Sequence, residues 1–144
     1  MKTESIEVTA PATHQQRVMQ LFAYFGEGNF SALKDLWSED CTVHHGGNPT
    51  AIPFAKPYQG KNGVVEFFQT IGSSITVSNL VPSNFREEGN EVIHDFHVEA
   101  TVNANGRSYK ADVTYVWTFN EQGQICKHHS FGDFAEAEAA FLGF

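Results

Sequence analysis

Two stretches of this 144-residue chain alternate apolar and polar residues, at 92–102 and 109–119. Successive residues of a strand point to opposite faces of a sheet, so each stretch presents one stripe. The first stripe is Val92, His94, Phe96, Val98, Ala100 and Val102, and the second is Tyr109, Ala111, Val113, Tyr115, Trp117 and Phe119. Asn105-Gly106 lies between them and is a strong hairpin signal. The stripes include an imidazole, two phenols and an indole, whose polar tips need partners when buried. Such a stripe suits the wall of a small-molecule pocket.

The remaining elements follow from periodicity and punctuation. Val18, Leu21, Phe22 and Phe25 predict a helix that opens near Thr13 and stops at Gly26 and Gly28. Phe30, Leu33, Leu36 and Trp37 predict a second, shorter helix, with Asn29 or Ser31 as its cap. Cys41, Val43 and His45 alternate as a short strand, and 46–60 reads as a loop. Val64, Phe67, Phe68 and Ile71 mark a third helix. A meander of strands follows over about 74–86, 91–103, 107–119 and 124–132, and a short Ala- and Glu-rich helix begins at Asp133. Residues 1–12 read as a loose lead-in to a single domain over 13–144. Helices first and then an antiparallel meander make an α+β domain.

Composition narrows the function. A hydrophobic content of 41% against 18% charged residues describes a folded domain and not a disordered tail. The net charge of −8 and the absence of any Lys/Arg run argue against nucleic acid, which requires a basic footprint. Cys41 and Cys126 lie in neither C-x-x-C nor zinc-type spacing and read as free thiols in a reducing compartment. No stretch approaches the ~18 apolar residues of a membrane span, so a cytoplasmic protein with no membrane contact is expected. The two His-His pairs cannot each turn both rings to one ion from a regular strand. A set of His45, His94 and His129 lacks any ligand spacing, so no metal is expected.

Parity selects the inward polar residues. His45 shares the face of Cys41 and Val43, with His44 opposite; His94 shares the face of Val92 and Phe96. In the last strand Ile125, Lys127, His129, Phe131 and Asp133 share one parity, opposite Cys126, His128 and Ser130. A bulge there would invert the assignment.

Several motifs recur in a known order. They are Phe25-Gly26-Glu27-Gly28-Asn29-Phe30 with Leu33 and Leu36, and Glu39-Asp40-Cys41-Thr42-Val43. Pro57-Tyr58-Gln59-Gly60-Lys61 follows with Val64 and Phe67-Phe68, then Gly123-Gln124-Ile125 and Phe131-Gly132-Asp133. Together they resemble the NTF2-like superfamily, above all its SnoaL-like and ketosteroid-isomerase-like branch. The resemblance implies a cone-shaped, cystatin-like fold, a curved antiparallel sheet wrapped around three helices with a pocket inside. It also implies a homodimer formed through the outer face of the sheet.

Against the ketosteroid isomerases, the general-base position falls on His45, a helix-one oxyanion donor falls on Leu21, and the second donor falls near Tyr115. The resemblance to SnoaL-like cyclases assigns Asp133 a catalytic role, while its position equally suits a helix cap. Scytalone-dehydratase-like members use His and Tyr groups, which would suit His94, His129 and Tyr115. The Asp-Arg-Asp set of limonene-epoxide-hydrolase-like members is missing its inward Arg.

The expected activity is therefore cofactor-independent acid/base chemistry on a small apolar carbonyl compound, of isomerase, cyclase or dehydratase type. His45 is expected to move a proton, Tyr115 to hold an oxyanion, and Asp133 or His129 to act as second acid/base. Phe22, Tyr58, His94, Phe96, Trp117, Phe119 and Phe131 are the expected lining. For His94 a hydrogen-bonded core role stands beside the functional one. A non-catalytic binding or dimeric interaction module with the same fold is the alternative.

Overall fold

The computed structural model describes residues 13–143, so the expected lead-in at 1–12 lies outside the described residues. Helix α1, His14–Glu27, begins where Thr13 closes a capping box with Gln16. It ends at Gly28, whose φ of 71° is the left-handed conformation glycine adopts most cheaply. Val18 and Leu21 are its fully buried positions. Helix α2, Phe30–Lys34, is capped by the Asn29 side chain, which accepts a hydrogen bond from the Ala32 N–H at 3.2 Å.

The second helix stops short of its apolar periodicity. Leu36 and Trp37 leave it because the sheet claims them: the Ile125 N–H donates to the Leu36 carbonyl at 2.9 Å, and Trp37 pairs with Ile125. Strand β1 accordingly runs Trp37–His44, longer than the short alternation predicted. The segment read as a loop contains a three-residue strand, β2, Pro57–Gln59, against β1. Helix α3, Gly60–Ser74, buries Val64, Phe67 and Phe68.

Four long-range elements and a closing helix follow: β3, Ile75–Glu88; β4, Glu91–Val102; β5, Ser108–Phe119; β6, Ile125–Gly132; and α4, Ala135–Leu142. The sheet order is β2-β1-β6-β5-β4-β3. Only the β1–β6 neighbours are parallel. The sheet curves without closing, and with its helices makes an α+β domain. Helices α1 and α3 pack on its inner face, and α4 rests against β5.

The alternation at 92–102 and 109–119 holds in space. Val92, His94, Phe96, Ala100 and Val102 are buried in β4, as are all six stripe residues of β5. In β6 the parity expectation needs correction. Phe119 pairs with Ile125, yet Thr118 pairs with Lys127, so Cys126 is an extra residue. This bulge resets the pleat. Ile125 points inward before it; after it His128 and Ser130 are buried, while Lys127 and Phe131 are exposed.

Candidate functional site

Between the inner face of the sheet and its helices lies a cavity that offers about 70 Å³ to the centres of water-sized groups. That is room for several waters or a small ring, since one water needs roughly 10–15 Å³ by this measure. Phe22, Phe25, Phe54, Phe67, Phe96, Trp117 and Phe134 supply aromatic walls, and among the described residues no Asp, Glu, Lys or Arg side chain lines it. The polar groups of the lining come from His45, Tyr109, Tyr115, Trp117 and His128.

His45 stands one residue beyond β1, where the chain enters Gly46-Gly47. The Gly46 N–H donates to Ser130 Oγ at 2.9 Å, and the Gly46 carbonyl accepts from His45 Nδ1 at 2.7 Å. A side chain on Gly46 would collide with the Phe134 ring and stand 2.7 Å from the Ser130 carbonyl oxygen, so the close approach requires glycine. Because a backbone carbonyl only accepts, His45 carries its proton on Nδ1 and leaves a lone pair on Nε2. Burial pushes its pKa down to about 4, against the opposing hydrogen bond to Gly46. The ring is therefore neutral near pH 7 and able to accept a proton.

Tyr115, inward on β5, lies with its ring 6.2 Å from that of His45 and 4.7 Å from that of His128. Its hydroxyl has no hydrogen-bond partner among the described residues. Burial raises its pKa far above the usual phenol value, so it stays a donor. His128, brought inward by the bulge, donates from Nδ1 to the Val116 carbonyl at 3.1 Å, and its buried Nε2 has no partner among the described residues. Burial holds its pKa well below 6.5, and the nearby His45 adds to the effect.

The structure brings His45, Tyr115, Phe22, Phe96 and Trp117 to one cavity. His94 sits behind the lining with both nitrogens engaged: Nδ1 donates to the Asp95 carbonyl at 3.0 Å, and Nε2 accepts from the Trp117 indole at 2.9 Å. Phe119 is fully buried against His14, its ring 4.1 Å away, and Tyr58 packs on Phe67 at 5.2 Å; neither lines the cavity. The bulge turns His129 and Phe131 to the outer face, where their rings stack at 5.9 Å. Asp133 is exposed and accepts from the Ala135 N–H at 3.0 Å, the first residue of α4; it stands one position before the N-cap residue, Phe134, so it is neither in the cavity nor the cap itself.

Sequence reading did not select His128, Tyr109, Ile52, Phe54 or Phe134. Tyr109 belongs to the β5 stripe and was reachable by parity. His128 was hidden by the bulge, and Ile52 and Phe54 lie in a segment without periodicity. Among the described residues no group of three His, Cys, Asp or Glu side chains is placed to hold a metal ion. Among the described residues no helix is long and apolar enough to cross a membrane.

Comparison with known proteins agrees with this architecture. Residues 18–128 match the model of the SnoaL-like domain family. No curated protein matches by sequence. An NTF2-like protein from Burkholderia xenovorans superposes with a TM-score of 0.80 at 20% identity, over 89% of this chain and 95% of that one. TerC, co-crystallized with polyporic acid, has a TM-score of 0.76 at 17% identity, over 90% and 98% of the two chains. A protein of ketosteroid isomerase-like fold from Catenulispora acidiphila, in complex with trimethylamine, gives 0.71 at 14% identity, over 89% and 93%. Other neighbours are named provisionally as isomerases or as a SnoaL-like polyketide cyclase. At these identities the likeness carries the fold and not the activity.

Proposed function

The chain belongs to the SnoaL-like domain family, and on that premise we propose that its cavity is a ligand pocket for cofactor-independent proton transfer on a small apolar carbonyl compound. The observation that carries this reading is the convergence of His45 and Tyr115 on one uncharged cavity. His45 Nε2 takes a proton from the carbon beside the carbonyl, and the C–H electrons move towards the carbonyl oxygen. Tyr115 donates a hydrogen bond to that oxygen. Where the substrate carries a C=C bond β,γ to the carbonyl, the same proton then leaves Nε2 for the γ-carbon and the double bond moves into conjugation, so the net change is an isomerisation with no oxidant or reductant. A basicity as low as that of His45 makes it a weak base alone. The negative charge developing beside it offsets the cost of the imidazolium, because opposite charges attract strongly in an apolar interior.

The test is deuterium uptake from D2O at the carbon beside the carbonyl, followed by NMR across small cyclic ketones. His45→Gln is expected to lower exchange about 10²–10⁴-fold, and Tyr115→Phe about 10²-fold or more. Exchange unchanged in His45→Gln would overturn the base assignment. The second reading, a binding module without turnover, draws on the absence of any charged lining group among the described residues. It predicts retained ligand with no exchange in the wild-type protein. We further propose a second copy of the chain as the partner on the outer face, where Phe131 is 52% and Val81 44% exposed. Native mass spectrometry that finds only monomer would remove that proposal.

A further inference from the structure

We propose, resting on the reading of the cavity as a ligand pocket, that it takes an uncharged hydroxy compound, a phenol or an enol, bound with the proton still on its oxygen. The hydrogen-bond roles in the lining are set by the backbone. His45 Nδ1–H is used by the Gly46 carbonyl and His128 Nδ1–H by the Val116 carbonyl. His45 therefore presents Nε2 to the cavity as an acceptor, whereas His128 Nε2 is buried behind the surface of the lining. Tyr115 supplies a hydroxyl with no partner among the described residues.

Each ligand class meets this inventory differently. A ketone has only acceptors; it satisfies Tyr115 and leaves His45 Nε2 without a donor. Among the described residues, a carboxylate or phenolate meets no Lys or Arg in the lining and an ammonium meets no Asp or Glu. A neutral hydroxyl fills both roles at once, donating to His45 Nε2 and accepting from Tyr115, whose rings lie 6.2 Å apart. The rest of the molecule meets Phe22, Phe67 and Phe96. For a carbonyl substrate the matching form is its enol. One C–H bond breaks, the proton passes through Nε2, and one O–H bond forms.

The test uses the full chain with 4-nitrophenol, whose anion is yellow and whose acid is not, at the pH where the free dye is half ionised. Binding of the acid depletes the yellow band as protein is added, and this is the expected result. 4-Nitroanisole, which keeps the ring and loses the donor, should bind about tenfold more weakly by Trp fluorescence. His45→Phe should erase that difference. A yellow band that grows on binding, or equal affinity for the two dyes, overturns the hydroxy-compound assignment and leaves the pocket in place. Failure of both dyes to bind overturns the assignment together with the pocket. Dye binding without ketone exchange removes only the catalytic reading.

Discussion

His94 and His97 lie three residues apart on β4, and the pleat sends them to opposite environments. His94 faces inward, fully buried, with a carbonyl on one nitrogen and an indole N–H on the other. Desolvation lowers its pKa, and no carboxylate bonds its ring. On the outer face His97 Nε2 meets Glu99 at 2.7 Å and Nδ1 meets Asp112 at 2.6 Å. Those hydrogen bonds, Glu99 first and Asp112 next, raise its pKa. Two carboxylates call for two donors, so His97 is an imidazolium where His94 is neutral. The same contrast extends across the sheet: the inner face holds three neutral imidazoles, two of them in the cavity lining, and the outer face carries the charge.

The largest expected break comes from removing the inner wall. Trp117→Ala deletes a nearly fully buried indole that stacks on His128 at 3.9 Å and bonds His94. It should cost about 3–5 kcal/mol in urea unfolding. A loss below about 1 kcal/mol would mean that the inner face is not the packed one.

Acid comes next. His94 and His128 have folded pKa values below their unfolded value near 6.5, so the unfolded chain binds more protons as pH falls beneath it. Stability should drop below pH 6.5, by up to about 1.4 kcal/mol per pH unit for each such histidine. Unfolding midpoints from pH 7.5 to 4 measure this, and a flat profile would contradict neutral buried rings.

Ser130→Ala should have a smaller effect. Loss of the acceptor for the Gly46 N–H costs about 1–3 kcal/mol if that donor stays buried. A role in positioning His45 should also appear as a changed tautomer ratio in the nitrogen NMR of that ring, which simple destabilisation would not cause. His97→Gln should give the smallest shift. His97 has the opposite sign: its contribution is full below pH 6.5 and is lost as pH rises through its raised pKa. The difference between variant and wild type should shrink with added salt, because the group is exposed. A salt-independent difference would place His97 in a buried interface.

Much of this architecture was legible because local patterns and tertiary demands agree. The stripes of β4 and β5, the Thr13 cap, and the face of α3 are short-range signals that the fold merely confirms. Trp37 shows where they fail. Its helical spacing was overridden by pairing with Ile125, a contact 88 residues away in the chain. At the site, His45 and Tyr115 were reachable through parity and resemblance. His128 was not, since nothing in Ile125-Cys126-Lys127 announces that one residue will be left without a partner.

The sequence by itself determined an α+β domain of SnoaL-like character with a mixed apolar and polar inner stripe, because periodicity and turn chemistry act over a few residues. Only the tertiary structure decided which histidines share the cavity. One unpaired residue in β6 moved His128 in and turned His129 and Phe131 out, and a strand of period two reverses all its side chains on such a step.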